Sequence, residues 1–239
     1  MSQEQAALLQ AFNGYFAGNF DYAWAHWKSL GRAPHNLGEL ALVAECLADR
    51  GDESALPYLD QLQKILPSDA LAIHARLLWR EQRIDQAIDA VEQCLTALRI
   101  DPWPSSALVE RTLNLASDLA RTDRDEQRRA QIFGLLQQPF AVYNSEAART
   151  IALLHVSESL DKGRLGPDLW HTVAALEPNI PWTLDFLRLR CECYALFEPS
   201  LVPGAQSDLV DFLAAEPGGI EGVKRPEIQA PARIARAER

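Results

Sequence analysis

The amino-acid sequence predicts an all-α protein. Almost every segment repeats its apolar residues with the period of an amphipathic helix, and Gly, Pro or Asp separates each segment from the next. Strings of β-branched residues, which are typical of strands, are nearly absent. With 239 residues, of which 48% are hydrophobic, the chain suits one extended array of helices or two small domains.

Three stretches in the first half of the chain resemble one another. They span residues 18–23, 51–55 and 82–87, and the alanines Ala23, Ala55 and Ala87 lie 32 residues apart. An amphipathic helix precedes each stretch, and a second helix that ends near a proline follows it. A repeat of this length with a small residue where two helices cross indicates stacked helical hairpins.

Small and large residues recur at matching points of these units. The second unit has Leu40, Ala44, Leu47, Gly51 and Ala55, and the third has Leu71, Ala75, Leu78, Ala87 and Leu95. This pattern resembles the tetratricopeptide repeat family, in which small residues allow helices to approach and larger residues fill the adjoining space. The resemblance covers about residues 4–103 and implies a right-handed solenoid of antiparallel helical hairpins.

The resemblance has departures. In the first unit, Gln10 and Gly14 stand where the family prefers apolar residues, and the turn of the second unit is one residue short. We nevertheless predict three tetratricopeptide-like repeats in residues 1–103.

After Pro104 the repeat period loosens, but helical segments continue. The pair Asp123 and Glu126 predicts a capping box at the start of one helix, and Ser207 is expected to cap the last helix. The expected helices span residues 105–121, 123–138, 144–161, 167–176, 183–197 and 207–215. Residues 104–215 are thus predicted to form three more divergent hairpins, giving twelve helices in about six hairpins.

Residues 216–239 differ in composition from the rest of the chain. They are rich in Pro and Gly and contain only a few scattered Ile and Val residues. Such a segment buries too little apolar area to offset its chain entropy. We expect it to be disordered, or to dock as an extended segment in its own or a neighbour's groove.

The charge of the chain disfavours some partners and compartments. The net charge is -10, and residues 1–215 alone carry 18 basic and 29 acidic residues, which repel nucleic acids and anionic membranes. The start of the chain lacks an export signal, and no apolar run is long enough to cross a bilayer. The four cysteines lack the spacing of a disulfide framework, so we expect a protein of the reducing cytoplasm.

The sequence carries no recognisable catalytic or cofactor motif. None of the five histidines forms the i, i+4 pair of a helical zinc site, and Gly218–Gly222 lacks the lysine of a nucleotide-binding loop. The sequence therefore predicts no metal, no cofactor and no enzymatic activity.

The concave face of the predicted solenoid is the candidate functional surface. The first helix of each hairpin would line it, and aromatic residues beside arginines often dominate binding energy. The predicted groove residues are Phe12, Tyr15, Phe16, Glu45, Arg76, Trp79 and Arg80. Two alternatives stay open: one in which Phe12 and Trp79 are packed between repeats, and one in which Arg76 and Arg80 are paired with Glu45 or Asp49.

We therefore expect a scaffold that binds a protein or peptide segment with apolar and acidic groups. One alternative is a helical accessory subunit of a larger enzyme system. The stretches Asp101–Trp103 and Pro139–Tyr143 are faintly similar to helical extensions of spermidine-synthase-like proteins. A second alternative is an α-helical enzyme with an unrecognised site. The sequence leaves open whether the chain forms homo-oligomers.

Overall fold

The computed structural model describes residues 2–123, 125–161 and 164–215, and over these ranges the chain is helical. The all-α prediction is therefore confirmed. The α-helices of the described ranges are α1 Gln3–Phe16, α2 Phe20–Lys28, α3 Leu37–Ala48, α4 Leu56–Leu62, α5 Pro67–Arg80, α6 Ile84–Ala97, α7 Ser106–Thr122, α8 Glu126–Leu136, α9 Glu146–Leu160, α10 Pro167–Ala175, α11 Leu184–Phe197 and α12 Val202–Ala215. The segment 216–239, predicted to be disordered or extended, lies outside the described residues.

The chain divides into two units. The first, Met1–Asn179, contains α1 to α10, and the second, Ile180–Arg239, contains α11 and α12. In the first unit, consecutive helices pack as pairs: α1 with α2, α3 with α4, and α5 with α6. The first helices of successive pairs also pack on one another, because α3 contacts α5, α5 contacts α7 and α7 contacts α9.

Two predicted helix starts are wrong. Asp123 is the C-terminal cap of α7, so it cannot open the next helix. Asp125 caps α8 instead, because its carboxylate accepts hydrogen bonds from the backbone N–H groups of Gln127 and Arg128, at 2.9 and 3.4 Å. The last helix begins at Val202 rather than at Ser207. Pro203 is compatible with this earlier start, because the first turn of a helix does not need its N–H.

The predicted small residues lie where the paired helices meet. Ala23, Ala55 and Ala87 are each 0% exposed. Gly14 shows why the first unit departs from the family pattern: a Cβ atom there would lie only 2.9 Å from the backbone nitrogen of Ala23. Glycine at this position therefore lets α1 approach the backbone of α2.

Helix α3 is the most enclosed helix of the first unit. Every residue from Glu39 to Ala48 is buried, and the helix packs against α2, α4 and α5. A helix enclosed in this way has no face on which a charged side chain can reach bulk water. Its two buried carboxylates, Glu39 and Glu45, therefore need partners within the protein.

We predict that replacing Ala55 or Ala87 with Leu lowers the free energy of unfolding by about 1 to 3 kcal/mol, because added methylenes overpack a close helix contact. Urea denaturation followed by circular dichroism measures this effect. Ala25→Leu is the matched control, since Ala25 is exposed on α2 and its replacement should change stability by less than about 0.5 kcal/mol. Equal effects at buried and exposed alanines would contradict the assigned crossings.

Candidate functional site

Five charged side chains from three first helices converge in the first unit. Glu45 belongs to α3 and Asp49 is the C-terminal cap of that helix, Arg76 and Arg80 belong to α5, and Arg111 belongs to α7. We call these five residues the arginine–carboxylate cluster. Helix α3 packs on α5, and α5 packs on α7. Side chains from these three neighbouring helices therefore meet in the cluster.

The Glu45–Arg111 pair is the most buried ion pair of the cluster. Nε of Arg111 donates to Oε1 of Glu45 at 2.7 Å, and Nη2 donates to Oε2 at 2.6 Å. The side chains are 1% and 14% exposed, respectively. This two-pronged geometry is the strongest form of an arginine–carboxylate contact, and it links α3 directly to α7.

Arg76 and Arg80 complete the cluster from α5. Nη1 of Arg76 donates to Oδ1 of Asp49 at 2.8 Å, and its Nε lies 3.5 Å from Oε1 of Glu45. Nη2 of Arg80 donates to the same Asp49 oxygen at 2.8 Å. The cluster thus holds three guanidinium groups on two carboxylates, a local charge of one positive unit in an acidic chain.

Aromatic rings lie under each of the three guanidinium groups. The Arg111 guanidinium carbon is 4.9 Å from the ring centre of Tyr15, and that of Arg76 is 5.2 Å from the ring centre of Phe20. Arg80 lies 4.8 Å above the ring of its neighbour Trp79. Cation–π attraction of this kind adds to the ion pairs in holding the arginines in place.

Two of the predicted groove residues are not accessible. Tyr15 is 4% exposed and Glu45 is 1% exposed, so the expectation that both present their side chains to a partner is wrong. The reason is Arg111, whose side chain covers Tyr15 and pairs with Glu45. Burial raises the pKa of Tyr15, and the negative charge of Glu45 raises it further, so the phenol stays neutral.

The other predicted groove residues differ in exposure. Phe16 is 64% exposed and Arg80 is also exposed, whereas Arg76 is half-buried. Phe12 and Trp79 are partly buried against the core, as in the packed alternative. The ring of Phe16 stacks on that of Phe12, with 6.0 Å between their centres.

Sequence reasoning missed Arg111, Phe20 and Asp69. Arg111 follows Arg76 by about one repeat length. The repeat period is irregular after Pro104, so the sequence pattern did not predict that Arg111 lies on the same face as Arg76. Asp69 is 4% exposed, and its Oδ1 accepts a hydrogen bond from the backbone N–H of Ser105 at 3.0 Å. Burial raises the pKa of Asp69 to about 6, and the negative charges of Asp101 and Glu45 add to this effect.

Other reactive groups do not assemble into a site within the described ranges. No group of three metal-binding side chains comes together there. Burial raises the pKa of both Cys46 and Cys94 to about 12, so these thiols are protonated at neutral pH. None of the described helices is long and apolar enough to span a bilayer.

Comparisons with protein-family models, with curated proteins and with solved structures found no match for this chain.

We predict that Glu45→Met or Arg111→Met alone destabilises the protein by about 3 to 5 kcal/mol, because each leaves a buried charge without its main partner. The double variant should regain much of this loss, and a double-mutant cycle from urea denaturation measures the coupling. Arg50→Met is the control, because it breaks an ion pair with the exposed Asp21 and should cost less than about 1 kcal/mol. Additive losses in the double variant would contradict the pairing.

The raised pKa of Asp69 gives a prediction for pH dependence. Between its usual value of 3.8 and about 6, the folded protein holds this proton more tightly than the unfolded chain. The stability that protonation contributes is therefore full below pH 4 and is lost as the pH rises through 6. Asp69→Asn should gain stability relative to the parent, by up to about 3 kcal/mol, between pH 4 and pH 7.

Urea denaturation at the two pH values measures this difference. Asp60→Asn serves as the control, since Asp60 is exposed on α4 and its replacement should have nearly the same effect at both values. A flat response of Asp69→Asn would show that Asp69 does not titrate in this window.

Proposed function

We propose that this chain is a right-handed solenoid of tetratricopeptide-like hairpins that acts as a scaffold for a protein partner. The successive packing of α3, α5, α7 and α9 supports this arrangement, as do the buried small residues at the pair crossings. The binding surface would be the rim of the arginine–carboxylate cluster.

The observation that carries this proposal is the exposure of Phe16. This side chain is 64% exposed although it stacks on Phe12, and its ring centre lies 5.3 Å from that of Tyr15. Arg111 in turn lies over Tyr15. An exposed aromatic ring on a rigid, buried base is typical of the residues that dominate binding energy.

The chemistry of the partner follows from charge and exposure. The cluster has one more guanidinium group than carboxylates, and Arg80 remains exposed beside Trp79. A partner segment with an apolar side chain for Phe16 and a carboxylate for Arg80 would complement both. Arg76 and Trp79 would lie at the edge of this contact, while Phe12, Tyr15 and Glu45 would support it from below.

Affinity capture from the native cell with the full chain tests the proposal. A protein captured by the parent and lost with Phe16→Ala supports it. Ile65→Ala is the matched control, because Ile65 is 61% exposed but lies in the connection after α4, and it should still capture that protein. Capture that is equal for all three chains would place the binding surface elsewhere. A biosynthetic enzyme as the captured partner would favour the accessory-subunit alternative.

With the partner identified, we predict that Phe16→Ala weakens binding by about 2 kcal/mol, or roughly 30-fold. Arg80→Ala should weaken it by less, and the double variant Arg76→Ala/Arg80→Ala by more. Isothermal titration calorimetry measures these affinities.

Arg80→Ala is the cleaner charge variant, because Asp49 keeps its contact with Arg76 when Arg80 is removed. Its melting temperature should therefore match that of the parent, which separates lost binding from lost folding. Unchanged affinity in both Phe16→Ala and Arg80→Ala would contradict this surface.

A further inference from the structure

Large apolar side chains lie exposed near the end of α12, in the second unit. Trp182 is 51% exposed, Val210 is 40% exposed and Leu213 is 46% exposed. The ring of Trp182 contacts that of Phe212, with 6.4 Å between their centres, so Trp182, two residues before α11, lies beside the last turns of α12. Val210 and Leu213 lie three residues apart and therefore share one side of α12, whereas Phe212 lies on a different side, toward Trp182. We call the exposed residues Trp182, Val210 and Leu213 the terminal patch.

The terminal patch consists of more than one exposed apolar residue. Along α12, Ala205 is the residue that is fully buried, and the helix leaves its second half with an apolar side that the described part of this unit does not cover. Val210 and Leu213 on one side of α12, with the exposed ring of Trp182 beside the last turns of the helix, offer apolar area to another segment.

The sequence that follows α12 is suited to cover this patch. Helix α12 ends at Ala215, two residues after Leu213, and Pro217, Gly218 and Gly219 come next. Proline does not continue a helix, and two glycines allow the chain to reverse its direction. The apolar residues Ile220 and Val223 follow directly.

The segment after α12 is long enough to reach the terminal patch. From Ala215 to Ile220, an extended chain spans up to about 17 Å. Val210 lies five residues before Ala215 in a helix, a distance of about 7.5 Å along its axis. Ile220 can therefore lie over Val210 with chain length to spare.

The charges are also complementary. Residues 180–215 carry five acidic and two basic residues, and Asp211 is exposed next to Val210. Lys224 and Arg225 come directly after Val223, so a segment placed with its apolar residues on the patch brings two cations to this acidic surface.

We propose that residues 219–225 of the same chain fold back and pack Ile220 and Val223 onto the terminal patch. A second copy is the less favourable occupant, because each copy carries a net charge of -10 and the two would repel each other. The attached segment, in contrast, is held close to the patch at a high effective concentration.

Limited proteolysis with trypsin tests this proposal on the full chain. Cleavage after Lys224 should be at least tenfold slower than cleavage after Arg236, because a docked segment must first detach. A synthetic peptide of residues 216–239 provides the ratio of the two rates without docking. Equal ratios in the full chain and the peptide would overturn the proposal.

Variants on both sides of the contact make the test specific. Leu213→Asp should bring the ratio to that of the peptide. Ile220→Asp/Val223→Asp should do the same, and it leaves the helices of the unit unchanged. Leu196→Asp is the control, since Leu196 is 61% exposed near the other end of α11 and its replacement should leave Lys224 protected.

The oligomeric state is measured on the same proteins by light scattering. The parent is expected to be monomeric at the concentrations used for proteolysis. A dimer in the parent that dissociates in Leu213→Asp would overturn the proposal, because a second copy would then cover the patch.

Discussion

The ion pair between Glu45 and Arg111 is the contact on which the arrangement of the first unit depends. Glu45 lies on α3, where every residue from Glu39 to Ala48 is buried, so its carboxylate cannot be solvated by bulk water. An unpaired charge there would cost several kcal/mol, and the partner that removes this cost comes from α7, 66 residues later in the chain. The position of α7 relative to α3 is therefore restricted to one in which the Arg111 side chain reaches Glu45. Arg76, Tyr15 and Phe20 pack around this pair and are fixed by it in turn.

This pair also determines which residues remain available to a partner. Because Arg111 covers Tyr15 and pairs with Glu45, the centre of the predicted groove is filled by the protein's own side chains. Phe16 and Arg80 lie at the rim of this filled centre and remain exposed. A rim of this kind is preorganised, since Phe16 stacks on Phe12 and Arg80 is held by both Asp49 and Trp79. Binding there would require little ordering of side chains, and this lowers one of the entropic costs of association.

The two proposed surfaces differ in the origin of their exposed apolar groups. Phe16 is exposed beside a cationic cluster in an acidic chain, a combination that suits a separate acidic partner. The terminal patch is exposed beside acidic residues, and the segment that follows it supplies apolar and basic groups in the matching order.

The sequence by itself determined the helices, because helix formation depends on local features that recur within a few residues: apolar periodicity, proline, glycine and small residues at crossings. It therefore predicted the all-α class and the buried positions of Ala23, Ala55 and Ala87. The start of α8 was misassigned because both Asp123 and Asp125 are residues that can cap a helix. Helix α7 extends far enough for Asp123 to be its C-terminal cap, which leaves Asp125 as the N-terminal cap of α8. The tertiary structure alone decided the content of the candidate site. The burial of Tyr15 and Glu45 depends on Arg111, and no pattern confined to one repeat records a contact between residues that lie 66 positions apart.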